Sequence, residues 1–362
     1  MGPVTGEAPT PRPPLVVVSP LPPQLEAVAD LLVGAGCRVR RLPDDPAFTW
    51  TPDTIAEWLG PADALVGIFG RAPIGGDALD GAPRLRVVTS PIIGTETIDV
   101  AACTERGIVV GFGATPENYE GMAEAVVMLV AALRKRLVPK MAAAADGSWR
   151  PAGGVGHLVG GATVGLVGFG AIGRATAARL SGWGCRLLAT DPVVDDDDLV
   201  AAGVEPVGLD ELLERSDVVS LAVTLSDATR HLIDAEALAR MKPGALLVNA
   251  ARGGLVDEAA LLAALDDGHL AGAAIDTWES EGPGTTSPLR GHRLVIATGH
   301  NVGHSAELYA SHPPAARDNT VLALAGRDPR HVRNPEVLTG WRARVAALQR
   351  SHPLTLPARP AG

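Results

Sequence analysis

The chain has 362 residues, enough for two compact domains, and with 46% apolar and 20% charged residues it is too hydrophobic to be a disordered polymer. Its net charge is −10, and its 31 basic residues, only three of them lysines, are scattered, so no stripe exists to neutralise a phosphate backbone and nucleic acid is excluded as an expected partner. The longest strongly apolar run, Ala123 to Leu133, contains Glu124 and falls short of the roughly 20 residues a bilayer span requires, so the expectation is a cytoplasmic protein without a membrane partner.

Met1 to Pro14 is rich in Pro, Gly and Thr, lacks the apolar stretch of a signal peptide, and is expected to be a disordered leader. Short apolar runs then alternate with helix-like stretches. Strands are predicted at Leu15 to Val18, Arg38 to Leu42, Ala64 to Ile68, Leu85 to Val88 and Ile108 to Val110, with helices from Gln24 to Val33 and from Ile98 to Glu105. This alternation implies parallel strands joined by helical crossovers, closing a first α/β unit near Gly111. A single long helix follows, from about Asn118 to Val138, with Arg134, Lys135 and Arg136 complementing the negative end of its dipole; residues 144–161, rich in Gly and Ala, read as a loop.

The second α/β unit has predicted strands at Thr163 to Val167, Arg186 to Thr190, Val218 to Val223, Ala245 to Asn249, Ala273 to Ile275 and Leu294 to Ala297, with helices between them. The acidic run Asp195 to Asp198 adds negative charge after the second strand, and its structural explanation is a solvated loop. A last helix from Ser305 to Ala325 contains Pro313 and Pro314, which are expected to break or kink it, and the Pro-rich end from Pro353 reads as a disordered tail. Cys37, Cys103 and Cys185 are odd in number and far apart, without CxxC spacing or a nearby His cluster. They are expected to pack as small apolar groups, and no metal site is expected.

The sharpest local signal is Gly168-Phe169-Gly170-Ala171-Ile172-Gly173, which follows a predicted strand, opens a predicted helix, and precedes Asp191 at the end of the next strand. Gly168 permits the tight turn, Gly170 lets the backbone approach a pyrophosphate, and Gly173 lets helix and strand pack closely, while the helix N-terminus holds the phosphate charge. Asp191 is suited to accept hydrogen bonds from ribose hydroxyls and would repel a 2′-phosphate, so the expected cofactor is NAD rather than NADP.

Arg252, Glu281 and His300 each follow the carboxyl end of a predicted strand, where open α/β sheets bind ligands. Reducing a 2-oxo acid requires a cation for the carboxylate and carbonyl, which suits the permanently charged fork of an arginine. It also requires a proton donor, which suits histidine, and a carboxylate beside it keeps the ring charged and oriented. Each residue alone has a structural explanation as a surface cation, a loop acid or a turn histidine; their occurrence together after a nucleotide fingerprint favours the chemical one.

With these segments the chain resembles the D-isomer-specific 2-hydroxyacid dehydrogenases, nearest in pattern to their 3-phosphoglycerate dehydrogenase and hydroxypyruvate reductase-like branch. The resemblance runs from about residue 60 to 340 and includes Ile93-Gly94-Thr95, Met122-Ala123-Glu124, the fingerprint, Ser216-Asp217-Val218-Val219-Ser220, Thr229-Arg230-His231-Leu232-Ile233, Met241-Lys242-Pro243-Gly244 and Asn249-Ala-Ala-Arg252-Gly-Gly. It implies two Rossmann-like and flavodoxin-like parallel-sheet domains with a cleft between them. The substrate domain is discontinuous, residues 14–111 and 303–345, around an NAD-binding domain at 112–302, with a leader at 1–13 and a tail at 346–362. It implies a homodimer, a small 2-hydroxy or 2-oxo acid as the partner molecule, and hydride transfer to or from NAD. It further implies that Arg252 binds substrate, His300 is the general acid and base, and Glu281 is its partner; Asp276 would hold the nicotinamide carboxamide, Ala250 would join the cofactor contacts, and the backbone at Ile93 and Gly94 would meet the substrate carboxylate. Arg71, by its spacing to Gly94, matches a position at which phosphoglycerate dehydrogenases bind the substrate phosphate, which leaves open a phosphate- or phosphonate-bearing acid. The alternative to an enzyme is a co-repressor-like protein of the same fold that senses NAD(H). Gly299 stands where the family usually has proline, Ala222-Val223-Thr224 replaces the common His-x-Pro, and Gly282 separates Glu281 from Pro283.

Overall fold

The computed structural model describes residues 9–70, 72–150 and 154–355. The chain divides into two compact units, Met1–Glu117 with Ser305–Gly362, and Asn118–His304.

The first unit is built on a five-stranded parallel sheet of β1 (Leu15–Val18), β2 (Arg38–Arg41), β3 (Ala64–Val66), β4 (Val87–Thr89) and β5 (Val109–Gly111), in the order β2-β1-β3-β4-β5. β1 reads Leu-Val-Val-Val and is buried at every position, as expected where helices cover both faces of a parallel sheet. The helix Ala306–Leu324 packs Ala316, Val321, Ala323 and Leu324 into the same core as Val16, Val18, Val87 and Val109, which brings the end of the chain back onto this sheet.

The second unit carries seven parallel strands: β6 (Thr163–Val167), β7 (Arg186–Thr190), β8 (Glu205–Pro206), β9 (Val218–Leu221), β10 (Leu246–Asn249), β11 (Gly272–Ile275) and β12 (Val295–Ala297), ordered β12-β11-β10-β9-β6-β7-β8. Chain order reverses at β6, so β6 and β9 lie side by side with the topological switch between them. Ligands bind at such a point, beyond the carboxyl ends of the strands.

Several elements differ from the sequence expectation. The single helix from Asn118 to Val138 is two, Pro116–Arg134 and Leu137–Ala145, broken where Arg136 adopts a left-handed φ of 53°. The second of these helices also occupies the start of the expected loop. Asp196–Asp198 is not loop but the first turn of the helix Asp196–Ala201, where carboxylates favour the positive end of the dipole. The helix Ala306–Leu324 continues through Pro313 and Pro314. Each interior proline costs about 3 kcal/mol, but full burial of a Val or Leu returns roughly 1.5–3 kcal/mol, and Leu308, Val321, Leu322 and Leu324 are all buried.

Both ends are more ordered than expected where they are described. Arg12, assigned to the leader, forms an ion pair at 2.7 Å with the buried Asp63, and it bridges to Leu354. Residues assigned to the tail belong to the helix Leu338–Ser351, and Leu354 is buried in the core of the first unit. The three cysteines are free; burial pushes the Cys37 and Cys103 thiols up to about 12.

Candidate active site

The glycine turn follows β6. Gly168 has φ +99°, and a Cβ there would fall 2.6 Å from the carbonyl oxygen of Ala222, so both the turn and the approach of the β9 end require glycine. At Gly170 the space a Cβ would take is open, immediately before the helix Ala171–Ser181, which begins Ala171, Ile172, Gly173. Asp191 follows β7. Its Oδ2 accepts the Phe169 N–H at 2.7 Å, and its Oδ1 accepts those of Val193 and Val194 at 2.9 and 3.2 Å. Burial raises this carboxyl, but the three amides and the nearby Arg174 charge outweigh it and hold the group below the usual carboxylate range. A helix start facing open space beside a fixed carboxylate fits a dinucleotide.

β10 ends at Asn249, whose side chain shapes the next turn: its amide donates to the Arg252 carbonyl at 2.9 Å, and its oxygen accepts the Ala251 N–H at 3.1 Å. Ala250 is buried within that turn, and the Arg252 guanidinium caps the Ala251 carbonyl at 2.7 Å. β11 leads into Asp276, which is buried. Its Oδ1 accepts the Thr298 hydroxyl at 2.6 Å and the N–H groups of Asn301 and Val302 at 2.9 and 3.2 Å, while its carbonyl accepts the His300 N–H at 2.7 Å.

That clamp holds His300 in a left-handed conformation, φ 57°. Its Nδ1 lies 2.8 Å from Oε2 of Glu281, and Glu281 Oε1 accepts the Trp278 N–H at 3.0 Å. A carboxylate only accepts, so Nδ1 carries the hydrogen and Nε2 is the nitrogen left for proton exchange with a ligand. Beside it, burial lowers His304, opposed by Asp276 and reinforced by His300. At Gly299 a Cβ would meet nothing within 4 Å, so the space there does not require glycine in place of the usual proline.

Glu281, His300 and Asp276 are thus brought together, and the glycine turn with Asp191 is a second group in the same unit. Ile93 and Gly94 lie in the first unit, in the turn after β4, their carbonyls accepting from Arg333 and from Ser90 at 2.9 and 2.7 Å. Arg71 lies outside the described residues. A cavity of about 350 Å³ opens at the carboxyl ends of β1, β2 and β3, but its described wall is apolar apart from Ser19, Asp44 and Asp45, a poor lining for an acid anion. Among the described residues no His, Cys, Asp and Glu cluster could hold a metal. Asn249 and Thr298, which position the site, were not singled out from the sequence; the only signal was a polar residue closing or following an apolar strand.

The family model for the NAD binding domain of D-isomer specific 2-hydroxyacid dehydrogenases matches residues 127–302. The (S)-sulfolactate dehydrogenase of Chromohalobacter salexigens is 46% identical over 226 residues, 62% of this chain and 73% of that protein. The D-3-phosphoglycerate dehydrogenase of Mycobacterium bovis is 35% identical over 303 residues, 83% of this chain but 56% of that protein, so the chain spans little more than half its length. In structure, the D-mandelate dehydrogenase of Rhodotorula graminis superposes with a TM-score of 0.76 at 26% identity, covering 89% of this chain and 97% of that one. Similarity on this scale, in sequence and in backbone alike, makes the chain a member of the D-isomer specific 2-hydroxyacid dehydrogenase family, an NAD-dependent enzyme that acts on the CH–OH group of a 2-hydroxy acid.

Proposed function

We propose that the protein interconverts a small D-2-hydroxy acid bearing a second anionic group at C3 with its 2-oxo acid, using Arg252, His300 and Glu281. The observation that carries the reading is the 2.8 Å contact from His300 Nδ1 to Glu281, which leaves Nε2 as the proton carrier. Arg252 grips the substrate carboxylate and draws electron density from the carbonyl. His300 gives a proton to the carbonyl oxygen in reduction and takes it back in oxidation, and Glu281 stabilises and orients the ring. Bound NAD supplies or receives the hydride. Asp276 fixes the His300 turn and would hold the nicotinamide carboxamide, Ala250 would join the cofactor contacts, and Asp191 would accept hydrogen bonds from the ribose.

The second anionic group rests on Arg71, by its spacing to Gly94, and on two relatives whose named substrates both carry one, a sulfonate and a phosphate. The test is NADH oxidation with 3-sulfopyruvate, 3-phosphohydroxypyruvate, hydroxypyruvate and glyoxylate, for wild type and Arg71→Ala. The substituted acids should have the higher kcat/KM, and the substitution should penalise them selectively. An equal effect on all four removes Arg71 from the account, and no turnover on any of them turns the reading toward an NAD(H) sensor. Met128, Leu137, Met141, Leu158 and Trp183 are exposed apolar side chains of the second unit, which supports a homodimer, checked by sedimentation equilibrium.

A further inference from the structure

β11, β10 and β9 are adjacent in the second sheet, so the loop after β10, which carries Arg252, is flanked by the loops after β9 and β11. One side-chain pair joins the two flanking loops: His231 Nε2 lies 2.6 Å from Glu279 Oε1. Both partners also hold the middle loop. The His231 N–H donates to Gly254 O at 2.8 Å, and two residues on, Ile233 donates to Leu255 O at 3.0 Å. On the other side, a Cβ on Gly253 would lie 1.9–2.4 Å from the Trp278 carbonyl and the Glu279 nitrogen, so the residue after Arg252 is pressed against that peptide. Glu279 is itself anchored, its N–H donating to Glu258 Oε1 at 2.7 Å, while Glu258 Oε2 accepts from Ser287 Oγ at 2.6 Å.

This pair resembles the one at the chemical site. Only four described non-glycine residues have positive φ, and two are histidines: His231 at 49° and His300 at 57°. Each is paired with a glutamate from one short segment, Glu279 for the first and Glu281 for the second. Non-glycine residues persist in this backbone region where their surroundings over-determine it, and such positions cluster at functional sites. The His231 and Glu279 side chains are 43% and 37% exposed, so the pair adds little to global stability. Its effect is local: it fixes the spacing between two loops that clamp a third.

We propose that His231 and Glu279 are positioning residues, a clasp across the carboxyl ends of β9 and β11 that holds the Arg252 loop in register for the substrate carboxylate. The proposal rests on the assignment of Arg252 to substrate binding. It is tested with His231→Asn, which tolerates the left-handed backbone but is too short to reach Glu279, and with Glu279→Ala, each alone, together, and combined with Arg252→Lys. The expected result is a roughly fivefold to tenfold loss in kcat/KM for the 2-oxo acid, carried mainly by KM, with the NADH Kd and Tm unchanged. The His231→Asn, Glu279→Ala double variant should be no worse than either single one, and the clasp substitutions should add little in the Arg252→Lys background. Wild-type kinetics in both single variants, or losses that multiply fully with Arg252→Lys, overturn the clasp. If Arg252→Lys itself leaves KM unchanged, the assignment of Arg252 fails and the clasp fails with it. Should His231→Asn not fold, Glu279→Ala, alone and combined with Arg252→Lys, carries the same comparison.

Discussion

Glu281 holds His300 through one carboxylate oxygen, at 2.8 Å, and is itself held by the Trp278 N–H through the other. The orientation of the imidazole is therefore set by a chain of contacts running back to the end of β11, acting together with the Asp276 clamp on the loop in which the histidine sits.

Replacing His300 with Asn should lower kcat by about 10²- to 10⁴-fold, the usual contribution of a general acid, with NADH affinity within twofold of wild type in a fluorescence titration. Glu281→Gln should cost less, because the ring keeps its partner's shape and loses only the charge. A His300→Asn enzyme with more than half its activity removes the proposed acid.

The Asp191 carboxyl sits below the usual carboxylate range, so it remains ionised wherever the enzyme works and presents a charge to any 2′-phosphate. Wild type should turn over NADH far faster than NADPH, and Asp191→Ser should shrink that preference at least tenfold. The same substitution should raise KM for NADH, since it releases the Phe169 N–H at the glycine turn. Wild-type turnover with NADPH above that with NADH contradicts the assignment.

Cys37 and Cys103 are buried with pKa values pushed up to about 12, so at pH 8 neither should react with a thiol-specific disulfide reagent in the native protein. All three thiols should react in denaturant. Raised folded-state values stabilise the neutral thiols below pH 9, and this contribution should fade as the pH climbs from 9 toward 12. Urea midpoints across that range, compared between wild type and Cys103→Ala, measure it.

Burial holds His304 below its ordinary 6.5, so the folded protein resists protonating it. A lowered folded value leaves its contribution intact above pH 6.5 and withdraws it as the pH falls through the folded pKa. His304→Asn should therefore flatten the loss of stability between pH 7 and pH 5. An unchanged slope in chemical denaturation shows that the histidine titrates freely.

Much of this protein was legible in the chain because its signals are local. A fully buried strand followed by a glycine turn, a helix and an acid about twenty residues on is a short-range pattern, set by backbone sterics and helix amides, so Gly168 to Gly173 and Asp191 could be found without coordinates. The alternation of apolar runs gave most strands to within a residue or two for the same reason. Burial overrode a local rule at Pro313 and Pro314, which do not end their helix because its apolar side chains pack on the sheet; at Asp196 to Asp198 the exposed acidic run is itself a local helix-start signal that the loop reading missed. The contacts of His300 with Glu281 and of His231 with Glu279, and the anchoring of Asp276 on Thr298, join residues 19 to 48 positions apart. Only the folded sheet, by bringing the carboxyl ends of its strands side by side, decides which of the chain's many acids each histidine meets.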